Sequence, residues 1–484
     1  MSRFQVPLAV VVALVAIVVL AIVGSVVGSA AQPLTLPPVA TAPVTSSTLV
    51  CPSVTGQPAG TVSHADVADV ASALSPPSRS TGSVTATVLA AANTKTTSMK
   101  VAPTSVVTSV AKKRQTIAIA TAGSIAATTV ADEVTATPAG AARALSGVRC
   151  EAPETDWWFA GADGRVGFSD TLVLANPAPT QAVVSVSIWG PGGPRLNSRL
   201  GVLRLAAQSH LVIPIAAHAP DIARLAVHVH AESGAVSAAM FDERTSALAS
   251  DGSDYLPPTA APSRSLVIAG FLAGKGSRQV IIANPGGVDA TVGLRLVTAS
   301  GSFVPSGASQ VVVRAGRTSR VDLDRAFAGT TGAVQLSSDQ PIVAQGLAVR
   351  VATPQRPDLM WLAATPPLAG PAAVATGRVP TGGHAALLLT APQGAAQVRV
   401  TAIGGKTRTI SIAAGRSSEV DITSTVTAAT GPCPFVVTPI GSEPVYGVRV
   451  LSYGAGLITA EPLVELPRPI PLPPVQQDQG IATR

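Results

Sequence analysis

The residues best placed by type and spacing to do chemistry are His228, His230 and Glu232, in the run His-Val-His-Ala-Glu. On a strand, positions i, i+2 and i+4 project from one face, and two imidazoles with a carboxylate form a ligand set that zinc accepts. No second ligand cluster is visible, however, and three polar residues on one strand face are also what a solvated sheet surface presents. No metal ligand is therefore assigned. A second concentration of chemistry surrounds Asp156, Trp157 and Trp158, where Glu154, Asp163 and Asp170 lie close in sequence to two of the chain's four tryptophans. Aromatic faces pack on the apolar faces of sugars while carboxylates accept hydroxyl bonds, so Asp156, Trp157 and Trp158 are the candidate contacts for a ligand or partner. The competing structural reading buries one tryptophan by strand alternation and lays the other over a seam between domains. Paired acids assembled from distant loops, as in glycosidases, would be the route to hydrolysis. Asp251-Gly-Ser-Asp254 is a fragment of a calcium loop without its further acidic ligands, and it reads as a turn. No Gly-x-Ser-x-Gly elbow, phosphate loop, dinucleotide fingerprint or His-Glu-x-x-His motif occurs. No catalytic residue and no cofactor follow, and the protein is expected not to be an enzyme.

The elements that must position these residues announce themselves as a repeat. Thr171 to Ile188, TLVLANPAPTQAVVSVSI, returns as VIIANPGGVDATVGLRL over Val280 to Leu296. Asn176 and Asn284 are 284 − 176 = 108 apart, and Val184, Val186, Ile188 map at the same step onto Val292, Leu294, Leu296. Register is kept as well as composition. A looser copy, ALLLTAPQGAAQVRVTAI, keeps Ala391-Pro392 and the alternating Val398, Val400, Ala402. Further along each copy lie Leu203 to Leu205 and Leu211 to Ile215, then Val311 to Val313 and Val321 to Leu323, then Ile410 to Ile412 and Val420 to Ile422. Polar turns separate these pairs, Ala315-Gly316-Arg317-Thr318 and Ala414-Gly415-Arg416-Ser417 among them. About seven short strands per ~100 residues predict immunoglobulin-like β-sandwiches, without the Cys, Trp, Cys arrangement of antibody domains. The predicted repeats span residues 154–262, 263–370 and 371–466. Residues 49–153 predict a separate β region, and residues 467–484, rich in Pro, an extended or disordered tail.

Composition agrees with a mostly β chain. Of the 484 residues 47% are hydrophobic and 12% charged, yet only 3% are aromatic, which favours strands built from Val, Ala and Thr. The net charge of +7 is spread thinly, with Lys112, Lys113 and Arg114 as its one tight cluster, so nucleic acid is not an expected partner. Residues 6–28 are a run without charge, preceded by Arg3. A helix of that length crosses a ~30 Å hydrocarbon layer and leaves the rest of the chain extracytoplasmic. The expected order is a cytoplasmic end at 1–5, an anchor at 6–28 and a linker at 29–48. Small-residue pairs near Ser29 and Ala30 would release the chain if the segment were cleaved. Cys51 and Cys150 bracket the first β region, and in an oxidising compartment they are predicted to form a disulfide. Cys433 reads as a buried small residue, with pairing to another chain as the alternative.

The single membrane segment, the Cys-bracketed region, the Asp156-Trp157-Trp158-Phe159 opening, the Ala-Asn-Pro strand ends and the Ala-Gly-Arg-Thr-Ser type turn together resemble a known family. It is an uncharacterised actinobacterial family of secreted or anchored proteins, classified only as a domain of unknown function. Its members are often encoded beside a large membrane glycosyltransferase, so the resemblance implies an accessory role at the cell envelope and offers no active-site residue to carry over. The expectation is a membrane-tethered stalk of sandwiches that acts as a scaffold for envelope-assembly proteins. A module binding wall polysaccharide at Trp157 and Trp158 is the alternative, ahead of an envelope hydrolase.

Overall fold

The alternating Val and Ala runs fold as strands throughout, and the chain is mostly β. The structure is a computed structural model that describes residues 12–20, 41–54, 58, 60–74, 81–91, 97–101, 108–111, 115–327, 329–352, 354, 356–375, 382–404, 406–428, 431–454 and 456–472. They fall into two units, residues 1–43 with 469–484, and residues 44–468. In the first, residues 12–20 are helical and Thr41–Ala42 pairs antiparallel with Ile470–Pro471. Among the described residues no helix is long and apolar enough to cross a membrane. Most of the expected anchor at 6–28, the linker up to 40, the basic cluster at 112–114 and the tail from 473 lie outside the described residues.

The second unit is built from four sandwiches of one design. Counted in chain order, leaving aside the two-residue strands Ala90–Ala91, Thr427–Ala428 and Gly431–Pro432, and taking Gly193–Arg195 with Leu203–Leu205, and Gly301–Phe303 with Val311–Val313, as strand four, strands one, six, three and four of each make one sheet, in that order across it. Strands eight, seven, two and five make the other. The first sandwich runs from Ser46–Cys51 to Ala144–Arg149, the second from Asp156–Ala162 to Ala249–Leu256, the third from Ser263–Phe271 to Asp358–Thr365, and the fourth from Ala372–Val374 to Leu457–Pro462. In the third, strands six and seven are one continuous strand, Gly332–Arg350, whose two halves belong to different sheets. The N-terminal β region is thus a further copy of the repeat, although it lacks the Asn-Pro motif. There Cys51, ending strand one, is bonded to Cys150, just past strand eight. In the chain-entropy account, closing a loop of that length contributes up to about 4.7 kcal/mol.

The repeated inward residues are core: Val184, Val186, Ile188, Val292, Leu294, Leu296, Val398, Val400 and Ala402 are all buried. The repeated asparagines have a structural role beside them. Asn284 Nδ2 donates to Val288 O at 2.7 Å and Val313 O at 3.0 Å, and its Oδ1 accepts from Gly286 N at 3.0 Å. Asn176 makes the corresponding bonds to Thr180 O, Leu205 O and Ala178 N. Each side chain closes the loop between strands two and three and ties down the end of strand four, which a hydrophobic residue could not do. Because Asn284 is buried, Asn284→Ala is expected to cost roughly 1–3 kcal/mol, by stranding the buried Val313 carbonyl. Urea unfolding would measure it, and a loss below ~0.5 kcal/mol would contradict this role.

The sandwiches do not form a stalk. Strand two reads as an unbroken apolar run, TLVLAN, QVIIAN or ALLLTA, which is the pattern of a strand covered on both faces. The outer faces of these second sheets pack on the preceding sandwich. Ile281, Ala283, Val343, Leu347, Leu359 and Trp361 of the third join the core of the second. Leu388, Val448, Val450, Ile458 and Ala460 of the fourth join that of the third. Val134 and Leu145 of the first then join the core of the fourth, and Val173, Ala239, Phe241 and Tyr255 of the second meet Val54 and Val148 of the first. The chain closes into a ring of four. At its hub the four eighth strands pack in a closed cycle; those of the first, second and fourth sandwiches are edge strands, and that of the third also pairs at its far end with strand one.

Edge strands present backbone donors that must be satisfied once buried. Here two acids meet that need. Asp254 Oδ1 accepts from Gly147 N at 3.2 Å and Thr459 Oγ1 at 2.8 Å, and Oδ2 from Trp361 N at 3.3 Å. Asp358 Oδ2 accepts from Leu145 N at 3.3 Å and Ile458 N at 3.0 Å. Arg449, also buried, lies 2.6 Å from Glu461 and 3.7 Å from Asp132. Burial pushes the Asp254 carboxyl well above the ordinary carboxylate range and that of Asp358 up to about 8. The expected turn at Asp251-Gly-Ser-Asp254 is instead part of the eighth strand of the second sandwich. Its polar residues are internal partners, Asp251 to Arg356 at 2.6 Å and Asp254 to the hub.

Candidate functional site

Strand alternation divides the Asp156–Ala162 strand cleanly. Trp157 and Phe159 point into the core of the second sandwich, and the Trp157 indole N–H donates to Val236 O at 2.8 Å. Trp157 is therefore a core residue and offers no contact surface. Asp156 and Trp158 face the other way. Across the sheet Asp156 pairs with His230 and Trp158 with His228, while His230 and His228 pair with Ser185 and Ser187 of the next strand. Directly opposed residues share a face, so Asp156, Trp158, His228, His230, Ser185, Ser187 and Trp189 occupy one outer surface.

Two features are built there. The first is an aromatic row: Trp158 stacks on His228 with ring centroids 4.0 Å apart and planes 11° apart, and on Trp189 at 5.6 Å and 23°. With Ser187 these side chains form one wall of a groove of about 510 Å³. The opposite wall comes from the third sandwich: the Asn-Pro turn at 284–288, with Gln340 and Pro341. Trp158 is 9% exposed and Trp189 half-buried, so most of the open aromatic face belongs to Trp189. Trp189 is the residue that motif reading missed, yet alternation in Val-Val-Ser-Val-Ser-Ile-Trp places it outward, on the face of Ser185 and Ser187. The signal was present in the register.

The second feature is a convergence of donor atoms. Asp156 Oδ1 lies 2.9 Å from His228 Nε2 and 2.9 Å from His230 Nδ1. Glu232, expected as the third member of the set, stands 4.0 Å from the other nitrogen of His230, Nε2, with Ser185 Oγ 3.4 Å from its Oε1. Asp156 has taken its place, from a neighbouring strand. Partial burial acts to raise the Asp156 carboxyl, but hydrogen bonds from His230 and His228 outweigh it and hold the group below its ordinary value. Burial lowers His228, against the pull of Asp156, whereas the exposed His230 is raised by its bond to Asp156.

The other acids do not join this surface. Asp163 and Asp170 are buried; Asp163 pairs with Arg165 at 2.7 Å, and its backbone N–H donates to the Asp170 carboxylate. Burial, with Asp242 adjacent, drives Asp170 well above the usual carboxylate range, and Asp242 is tied to Arg244 and to the Trp361 indole. Glu154 is held through its backbone to Val236. These residues give no pair of carboxylates facing a groove.

No functionally curated protein matches the chain. Among solved structures, one that is similar is the crystal structure of Thermotoga maritima 1070, at 16% identity over 22% of this chain and 94% of that one. Its TM-score of 0.19 is too low to bear on fold or function. With residues 101–423 matched, the chain belongs to the Family of unknown function (DUF5719).

Proposed function

We propose that the protein is a non-enzymatic, extracytoplasmic binding module of the bacterial cell envelope, anchored through residues 6–28, whose groove beside Trp158 and Trp189 takes a wall polysaccharide. The groove carries this reading. It joins a partly open indole to His228 and Ser187 on a rigid sheet, and sugar rings use such surfaces through an apolar face and peripheral hydroxyls. The rigidity comes from the ring, which holds the two groove walls, from different sandwiches, at fixed separation. In affinity electrophoresis of the full-length chain through wall polysaccharide, Trp189→Ala should weaken retardation roughly five- to tenfold, the size of one lost aromatic contact. Unchanged retardation, or none in the parent chain, would reject the polysaccharide. The second reading is an accessory scaffold for an envelope-assembly membrane protein such as a glycosyltransferase. It rests on the family resemblance and on the uncharged apolar segment at 6–28, which would hold the chain at the membrane beside such a protein. A scaffold would co-purify with that membrane protein and tolerate Trp189→Ala.

A further inference from the structure

We infer that Asp156, His228 and His230 form a binding site for a zinc-type divalent ion on the outer face of the second sandwich. Three donor atoms of suitable type converge: one carboxylate oxygen and two imidazole nitrogens, all within 4.8 Å of one another. Each nitrogen is 2.9 Å from Asp156 Oδ1. Ligands at 2.0–2.2 Å around a tetrahedral ion stand about 3.3 Å apart, so opening each Asp156 contact by under about half an ångström and bringing the two imidazole nitrogens, which lie within 4.8 Å of each other, to that spacing would admit the metal. The ion would replace the two N–H protons now directed at Asp156.

The surroundings support the donors as they do in built sites. The His228 ring is clamped against Trp158 at 4.0 Å, which fixes its Nε2 towards Asp156 without a hydrogen bond from its own strand. His230 turns its Nδ1 inward and leaves Nε2 towards Glu232 at 4.0 Å. A carboxylate hydrogen-bonded to the far nitrogen of a ligating imidazole is the usual outer partner, and Glu232, in ion-pair reach of His230 Nε2, is placed to take that role. A solvated sheet face has no need to aim two imidazoles at one oxygen. Three protein ligands on an exposed surface leave a fourth position open to water or to an oxygen donor of a bound molecule. That position adjoins the groove through His228, which belongs to both.

The experiment uses the full-length chain and zinc alone, without polysaccharide, so it is independent of the groove's ligand. Isothermal titration should show one zinc per chain, and cobalt in its place should give the intense visible bands of a four-coordinate ion. His230→Ala and Asp156→Asn should each weaken binding at least about tenfold and abolish those bands. Glu232→Gln should weaken it less, and Trp189→Ala should leave it unchanged. His230 and Asp156 are exposed enough for their variants to keep the fold, which metal-free thermal unfolding would verify. Zinc should also raise the unfolding temperature of the parent chain and not of His230→Ala. No stoichiometric zinc at ten micromolar, or binding indifferent to His230→Ala and Asp156→Asn, would overturn the site.

Discussion

Gly161→Ala is expected to destabilise the ring by roughly 2–5 kcal/mol, more than a surface methyl has any reason to cost. Gly161 sits at a bulge in strand one, where the register slips between Ala160 and Ala162, with φ at +133°. A side chain there is strained on backbone grounds alone by about 1–2 kcal/mol. A methyl would also come within 2.3 Å of Trp361 Cη2 and 2.5 Å of Cζ3. That indole cannot step aside: it is 1% exposed, its Nε1 donates to Asp242 at 2.9 Å and its backbone N–H to Asp254. Overpacking adds about 1–3 kcal/mol. The third sandwich repeats the device, since Gly270, at φ +109°, would put a methyl 2.7 Å from Val448 of the fourth. Urea unfolding of Gly161→Ala, Trp361→Phe and the double variant separates packing from backbone strain. The smaller ring should recover at least ~1 kcal/mol of the glycine penalty in the double-mutant cycle. Strict additivity would show that Gly161 does not seat the neighbouring sandwich.

The contrast between what the sequence displays and what it hides follows from the range of the interactions. Register was legible in the second to fourth sandwiches, because Val184, Val186 and Ile188 repeat at a fixed step and a one-residue slip would turn them all to the wrong face. The N-terminal copy was legible as strands but not as a repeat. Its disulfide joins strand one to the end of strand eight there, and it carries no Asn to close the loop after strand two. The ring was signalled only indirectly, by the doubly apolar second strands, since sequence pattern says that a face is covered and not by what. The hub was invisible. Asp254 lies in the polar run Asp251-Gly-Ser-Asp254 and Asp358 just after Gln355-Arg356-Pro357, as surface acids do, and the donors they accept from are 100 to 213 residues away. The candidate site was half legible: alternation puts His228 and His230 on one face, whereas Asp156 reaches them only through pairing across 72 and 74 residues.

Replacing the buried carboxyl by its neutral isostere should stabilise the chain at slightly alkaline pH. Asp358 is fully buried, and burial pushes its carboxyl up to about 8, against the backbone donors and Arg143, which pull it down. Below the ordinary carboxylate value, near 4, the folded and unfolded chains both carry the proton and the stability is undiminished. Between there and about 8 the unfolded chain releases the proton while the folded chain keeps it, so stability falls steadily as pH rises. The interval sets an upper limit of roughly 6 kcal/mol. In Asp358→Asn the side-chain carbonyl still accepts from Leu145 N and Ile458 N, and no charge has to be buried at any pH. Its amide would occupy the place of Oδ1, which has no hydrogen-bond partner among the described residues, a cost of about 1–2 kcal/mol. The variant should therefore be more stable than the parent by ~2–4 kcal/mol at pH 8, with the advantage gone near pH 4. The stability of the variant should keep a shallower downward slope with pH than that of the parent, because Asp254 and Asp170 are raised for the same reason. Urea midpoints for both chains at pH 4, 6 and 8 decide it. Parallel curves would mean that Asp358 is ionised in the folded hub. In that case its bonds to two edge strands would have to be counted as charge-assisted, and Asp358→Asn would weaken the ring at every pH.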